Sequence, residues 1–301
     1  MPISVARSRH GPFERIALVA DGGQRPVMLS VYRVGDLLLD AGGTRVAQAL
    51  ARALADDPPR RILLTHQHED HAGGVPALRR ALGGLPVHAP APHVALLAEP
   101  APLPPYRALA WGQPEPFPDA IPYLPGAVFQ AAGVALEAVA TPGHTPGHAA
   151  LLARWGGRRW APTGDLYLGS DPRTLWFESA ADDLVRSCRT LAESPLCMLP
   201  THGEVREDGE RALGELADAV EREAARVWRA SERLGTTDPA AVAREVFGPE
   251  RLQKEESFPP RTFGTSGVGL QTGRRRARAR VRLSPRTARS ASRPALGRGG
   301  R

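Results

Sequence analysis

The chain has 301 residues, 42% of them hydrophobic, and a formal net charge of +7. That length suits one large α/β domain, or one domain with a small appendage. The positive charge sits at one end: residues 272–301 hold 11 arginines and no acid, so residues 1–271 carry 28 basic against 32 acidic side chains, and a mildly acidic body of that kind argues against strong nucleic-acid affinity.

The first predicted elements are strands. "FERIALVA" (13–20), "VMLSVYRVG" (27–35) and "DLLLDAGG" (36–43) are rich in branched apolar residues and separated by glycine-bearing turns. A helix is expected from Thr44 to Ala55, with Val46, Leu50 and Leu54 at four-residue spacing. "RRILLTH" (60–66) is a short continuous apolar run, as a buried strand would be, and "GGVPALRRALG" (73–83) reads as a helix stopped by Gly83 and Gly84. Between Pro86 and Pro125 there are 12 prolines. So many exclude regular helices and central strands, and the segment is expected to be a long lid-like surface loop with one short helix at 92–100. Strands resume with "AVFQ", "VALEAVATPGH", "AALLARWGG", "RRWAPTGD" and, after a helix from about Ala180 to Glu193, "LCMLPTHGE" (196–204). Helices follow at 208–234, with an apolar stripe through Leu213, Leu216, Val220, Val227 and Trp228, and at 236–248. The arginine-rich end lacks apolar periodicity and is expected to be disordered. Three divisions result: 1–204, a helical extension over 205–271, and the tail over 272–301. Cys188 and Cys197 lack CxxC spacing and suit buried thiols in a reducing compartment. No run of 18 apolar residues and no leader pattern occurs, so the expectation is a soluble cytoplasmic protein without membrane association.

The chemistry concentrates in "ILLTHQHEDHAGG" (62–74). His66 and His68 are two apart, and Asp70 and His71 are adjacent. One turn could therefore offer two donors to each of two divalent metals. Zinc wants three or four protein donors and an open position, so the turn alone is incomplete and partners are required elsewhere. Candidates stand directly after apolar runs: His144 in "TPGHTPGH" (141–148), Asp165 in "PTGDLYLG" (162–169) and His202 in "PTHGE" (200–204). Polar residues at strand ends on one edge of a sheet are where layered α/β folds bind ligands.

This ordered set, HxHxDH, then a histidine, an aspartate and a last histidine, resembles the metallo-β-lactamase fold superfamily over roughly residues 16–204. The resemblance implies an α/β (α+β) fold, a four-layer αββα sandwich with its site at one edge of the two sheets. It implies that His66, His68 and His144 hold one metal, that Asp70, His71 and His202 hold the other, and that Asp165 bridges them. Asp40, in "LLLDAGG", would support the site from behind. Two divalent ions are implied, zinc first, with iron or manganese as alternatives. Asp70, beside the expected water, is the candidate proton acceptor and the one catalytic residue named. The loops are similar to those of glyoxalase II-like thioesterases and of N-acyl homoserine lactonases. The expected activity is thus hydrolysis of a thioester, lactone or related small acyl substrate. Glutathione itself is disfavoured, because the only lysine, Lys254, lies far along the chain. Two alternatives remain: a compact endoribonuclease of the same superfamily, suggested by the helices after His202, and a persulfide dioxygenase with a single iron. Glu69 is expected to be a solvated spacer and His148 a structural neighbour of the site. His88, His10 and His93 carry no chemical pattern. Trp155 and Trp160 are expected to pack a hairpin, and Trp176 and Phe177 are candidate pocket residues.

Overall fold

The computed structural model describes residues 3–20, 27–169 and 180–247. The chain divides into Met1–Leu270 and Gln271–Arg301, and all described residues belong to the first unit. Trp176, Phe177, Lys254 and the arginine-rich segment lie outside the described residues.

Among the described residues two sheets are stacked. The first has seven strands in chain order: β1 (Ile3–His10), β2 (Phe13–Ala20), β3 (Val27–Val34), β4 (Leu37–Leu39), β5 (Arg61–Leu63), β6 (Val87–Pro90) and β7 (Ile121–Tyr123). Strands β1 to β4 are antiparallel and β4 to β7 parallel. The second sheet has five strands: β8 (Val128–Ala131), β9 (Val134–Ala140), β10 (Ala149–Trp155), β11 (Arg158–Gly164) and β12 (Cys197–Pro200). It too is an antiparallel meander ending in one parallel pair, β11 with β12. Parallel neighbours need crossovers, and helices supply them. Helix α1 (Ala47–Leu54) joins β4 to β5, α2 (Glu69–Ala72) and α3 (Val75–Leu82) join β5 to β6, and α6 (Ala181–Leu191) lies between β11 and β12.

The period of two along the strands sorts the side chains into layers. Leu37, Leu39 and Leu63 point between the sheets, where they meet Phe129, Leu136, Leu151, Trp160 and Leu199. Leu38, Ile62 and Leu64 point the other way, onto Leu50 and Leu54 of α1 and Val75 and Leu78 of α3. On the second sheet, Ala150, Ala161 and Met198 face outward against Leu184, Cys188 and Leu191 of α6 and Leu213, Leu216 and Val220 of α7 (Gly209–Leu234). The result is helix, sheet, sheet, helix, the four-layer order expected. Cys188 and Cys197 are buried free thiols.

Three features depart from expectation. The segment 86–125 is not a long loop. It holds β6, a 3-10 turn (Ala91–His93), α4 (Val94–Ala98), α5 (Pro105–Trp111) and β7, and Leu97, Trp111, Phe117 and Ala120 enter the core of the first sheet. Its prolines stand where the missing N–H costs little: Pro105 opens α5, and Pro122 lies on the edge strand β7. The apolar stripe of α7 is buried only as far as Val220 on its sheet-facing half. Val227 and Trp228 are exposed, because the helix outruns the layer beneath it and its far half meets α8 (Pro239–Phe247) instead. A strand the pattern did not announce, β1, pairs with β2 through a turn at Gly11 (φ 55). Its mostly exposed "ISVARSRH" hides the signal. Trp160 is buried as expected, packed so closely over Gly11 that a Cβ there would meet the indole. Trp155 is exposed.

Candidate metal centre

The polar turns all emerge at one edge. His66 and His68 follow β5, Asp70 and His71 lie in the single turn of α2, His144 lies between β9 and β10, Asp165 follows β11, and His202 follows β12. The first sheet thus supplies four of the seven donors and the second sheet three. They gather into two groups, His66–His68–His144–Asp165 and Asp70–His71–Asp165–His202, with the donor atoms of each within 4.8 Å of one another. Asp165 is common to both. The glycines of "HAGG" make this approach workable. Gly74 N–H donates to Gly42 O (2.7 Å), Ala41 N–H to His71 O (2.7 Å), and a Cβ on Gly74 would run into the Ala41 carbonyl.

Four of the donors, His66, His71, Asp165 and His202, are aimed by a partner behind them. Asp40 adopts φ 62, a region where non-glycine residues are uncommon. From there its carboxylate accepts from Thr65 N–H (2.8 Å) and the Thr65 hydroxyl (3.0 Å), and from His71 Nδ1 (2.8 Å). That leaves His71 Nε2 facing the centre. His66 Nδ1 meets the Thr65 hydroxyl at 3.1 Å. His202 Nδ1 donates to Met28 O (3.2 Å), so its Nε2 faces Asp70 Oδ2 (3.0 Å) and Asp165 Oδ1 (3.7 Å). His68 Nδ1 and His144 Nε2 lie 2.9 Å apart. His148 has no lone pair to spare: its Nε2 accepts from Asp165 N–H (3.2 Å) and its Nδ1 is 2.8 Å from the Thr141 hydroxyl. It positions Asp165, in keeping with the structural role expected of it.

The electrostatics call for cations. Burial lowers His66 and takes His144 down to about 3, so both present neutral lone pairs at neutral pH. Burial would push Asp70 and Asp165 up, but the surrounding histidines, His71 foremost, hold both below the ordinary carboxylate range. Burial likewise opposes a charge on His71, yet Asp165, Asp40 and Asp70 raise it well above its usual value; His202 is raised too, by Asp165 and Asp70 against the pull of burial. Protons there neutralise a packed set of carboxylates, a task a bound cation would take over. Unmet valences point the same way. His66 Nε2 is buried without a hydrogen-bond partner, and His71 Nε2 and Asp165 Oδ1, 3.0 Å apart, find no well-aligned hydrogen bond. Buried polar atoms are rarely left so unless they serve a ligand. The imidazole and carboxylate donors suit zinc, and equally iron or manganese.

The structure brings together all seven residues named from the sequence, with Asp40 behind them. Glu69 corrects an expectation. It is buried, and its carboxylate takes a two-pronged ion pair from Arg107 on α5, Nε to Oε1 at 2.6 Å and Nη2 to Oε2 at 2.7 Å. Burial and the charge of Asp70 push the Glu69 carboxyl up, and Arg107 draws it back. His93, without pattern in the sequence, is buried against Gly147 and Thr145 in the His144 loop. Neither role was visible locally, since each contact joins a residue of the proline-rich segment, Arg107 or His93, to a turn far away in the chain. Two buried tyrosines also act at a distance: Tyr123 O–H donates to Leu64 O and Tyr32 O–H to Pro200 O, each at 2.7 Å. They anchor the two strand ends that launch His66 and His202.

Residues 22–202 match the family model of the metallo-beta-lactamase superfamily. The chain belongs to that superfamily. Among curated proteins it is 33% identical over 182 residues to a hydroxyacylglutathione hydrolase of Anaeromyxobacter dehalogenans, covering 56% of this chain and 55% of that protein. It is 30% identical over 229 residues to an atrochrysone carboxyl ACP thioesterase of Aspergillus fumigatus, covering 70% of this chain and 64% of that one. The chain therefore spans less than two thirds of either relative. Among solved structures, a metallo-beta-lactamase from Pontibacter korlensis superposes with TM-score 0.55 at 16% identity, covering 73% of this chain and 99% of that one. One from Cronobacter sakazakii with a HARLDQ motif gives TM-score 0.52 at 20% identity, covering 71% and 92%. These likenesses concern the fold.

Proposed function

We propose that the protein is a metal-dependent hydrolase that uses a dinuclear centre against a thioester, lactone or related acyl substrate. The observation that carries this reading is the pair of four-donor groups meeting at Asp165. In this reading His66, His68 and His144 would hold one cation and Asp70, His71 and His202 the second, with Asp165 available to both. Divalent cations bound there would supply a water of lowered pKa and polarisation of an acyl oxygen. The chain's own residues do the rest. Asp40 and Met28 O fix His71 and His202 through their Nδ1 atoms, so that both present Nε2 to the centre. His148 fixes Asp165 through its backbone N–H. Asp70 belongs to the second group, its Oδ2 toward His202 Nε2, and is the residue assigned to accept a proton as water attacks the acyl carbon. Support for an acyl substrate comes from the two curated relatives, whose names describe release of an acyl group from glutathione and from ACP. Carriers so different leave the acyl bond as the common element.

The test is a hydrolysis panel on metal-replete protein: acyl thioesters of several carriers, homoserine lactones, a chromogenic β-lactam and single-stranded RNA, with metal content measured in parallel. Thioester or lactone turnover with two equivalents of metal is expected. RNA cleavage alone, or oxygen uptake on glutathione persulfide by a one-iron protein, would overturn the assignment.

A further inference from the structure

Helix α5 carries two residues one turn apart, Arg107 and Trp111, that both reach the edge where the second donor group stands. The Arg107 guanidinium forks onto Glu69, the residue between His68 and Asp70. The Trp111 ring lies 5.7 Å from the His202 ring, centroid to centroid. The spacing i, i+4 puts both on one face of the helix. That face is buried, whereas Tyr106 and Leu109 on the other are exposed. Backbone ties fix the end of the helix: Arg45 N–H donates to Trp111 O (3.1 Å), and the Thr44 hydroxyl reaches both Gly73 O (3.1 Å) and Gln113 O (3.2 Å). The structure that Arg107 grips is weak by itself. Helix α2 has four residues and no side-chain cap, far too short to hold its shape alone. Yet it must present Asp70 and His71 from a single turn.

We propose that Arg107 is a positioning residue for the Asp70–His71–Asp165–His202 half of the centre, acting through the buried Glu69 carboxylate, with Trp111 confining the His202 ring from the same helix face. This rests on the dinuclear reading above. It adds that α5, one element of the proline-rich segment, sets the geometry of this metal position and not of the other. Glu69 is no ligand in this scheme. Its carboxylate is fully engaged by the guanidinium fork, and what it transmits is the orientation of the turn. A lysine at 107 would keep the charge but lose the two-pronged geometry.

The experiment compares metal binding by wild type, Arg107→Lys, Arg107→Leu, and Arg107→Leu combined with Glu69→Met, using zinc titration against a chromophoric chelator alongside thermal unfolding of the metal-free proteins. His202→Ala identifies which of two binding steps belongs to this half. Arg107→Leu alone leaves a buried carboxylate uncompensated and is expected to lower unfolding temperature. The double variant removes both charges and is expected to recover that temperature. Its affinity at the step marked by His202→Ala nevertheless stays weakened, by about 10–100-fold, the usual cost of losing a residue that orients a ligand, while the other step is unchanged. Arg107→Lys falls between. A double variant that recovers both stability and two wild-type binding steps would overturn the assignment, leaving the pair merely structural, and so would equal weakening of both steps. A wild type that binds no second equivalent would overturn the dinuclear reading, and this inference with it.

Discussion

Asp165 is the only residue shared by the two donor groups, and its position is set from its own backbone, through His148. Removing its carboxylate therefore acts on both groups at once. Asp165→Ala is expected to lose both metal equivalents and hydrolytic activity together, read by elemental analysis and turnover on the same preparation. A variant that is active with full metal content would dismiss its bridging role. The cysteines make a second prediction. Burial pushes the Cys188 thiol up to about 12 and Cys197 in the same direction. Only the thiolate reacts, and both thiols are buried, so at pH 8 both are expected to resist a disulfide reagent in the native protein. Both should react once urea unfolds it. Rapid native labelling of Cys188 would show that α6 leaves its sheet far more readily than its packing implies.

At the scale of elements, the four layers rest on alternation along short strands and on the inward stripes of α1 and α3. Leu50 is wholly buried between α1 and the first sheet. Leu50→Ala removes that packing and is expected to cost about 2–5 kcal/mol, measured as a lower urea midpoint with unchanged slope. A shift of no more than a few tenths would mean that α1 repacks. Much of this was legible in the sequence. The donors after β5, β9, β11 and β12 announce themselves because each is a polar residue closing an apolar run. What stayed hidden was hidden for a physical reason. Proline density says where helices and strands cannot continue. It says little about where they begin, and Pro105 begins one. Glu69 looked like a spacer because its partner, Arg107, is 38 residues away. Nothing local distinguishes a carboxylate facing water from one facing a guanidinium. The stripe of α7 misled in the opposite sense: periodicity marks a face able to be buried, and the layer beneath ends before Val227.

At the scale of the whole molecule, among the described residues no helix is long and apolar enough to cross a membrane. The two sheets meet face to face through a shared apolar layer, which is strong but non-directional. At one edge the contact changes character, because each donor group draws residues from both sheets. His66 and His68 are matched with His144 and Asp165, and Asp70 and His71 with Asp165 and His202. Cations held there would act as a clasp, closing that edge of the sandwich while leaving the opposite one to hydrophobic packing. The stability added by a tightly held ligand grows with the logarithm of its concentration over its dissociation constant. It should be felt first by local openings that part the two sheets at the clasp. Amide hydrogen exchange with and without zinc is expected to slow at residues 64–73, 141–149, 163–166 and 199–203, and to stay the same along the exposed edge strand β1. If slowing spread evenly over both sheets, the molecule would be opening only as a unit. Localised slowing would mean that the edge bearing the donor groups is also the side at which the sandwich opens, and that a metal-poor cell would hold a folded protein with its working edge ajar.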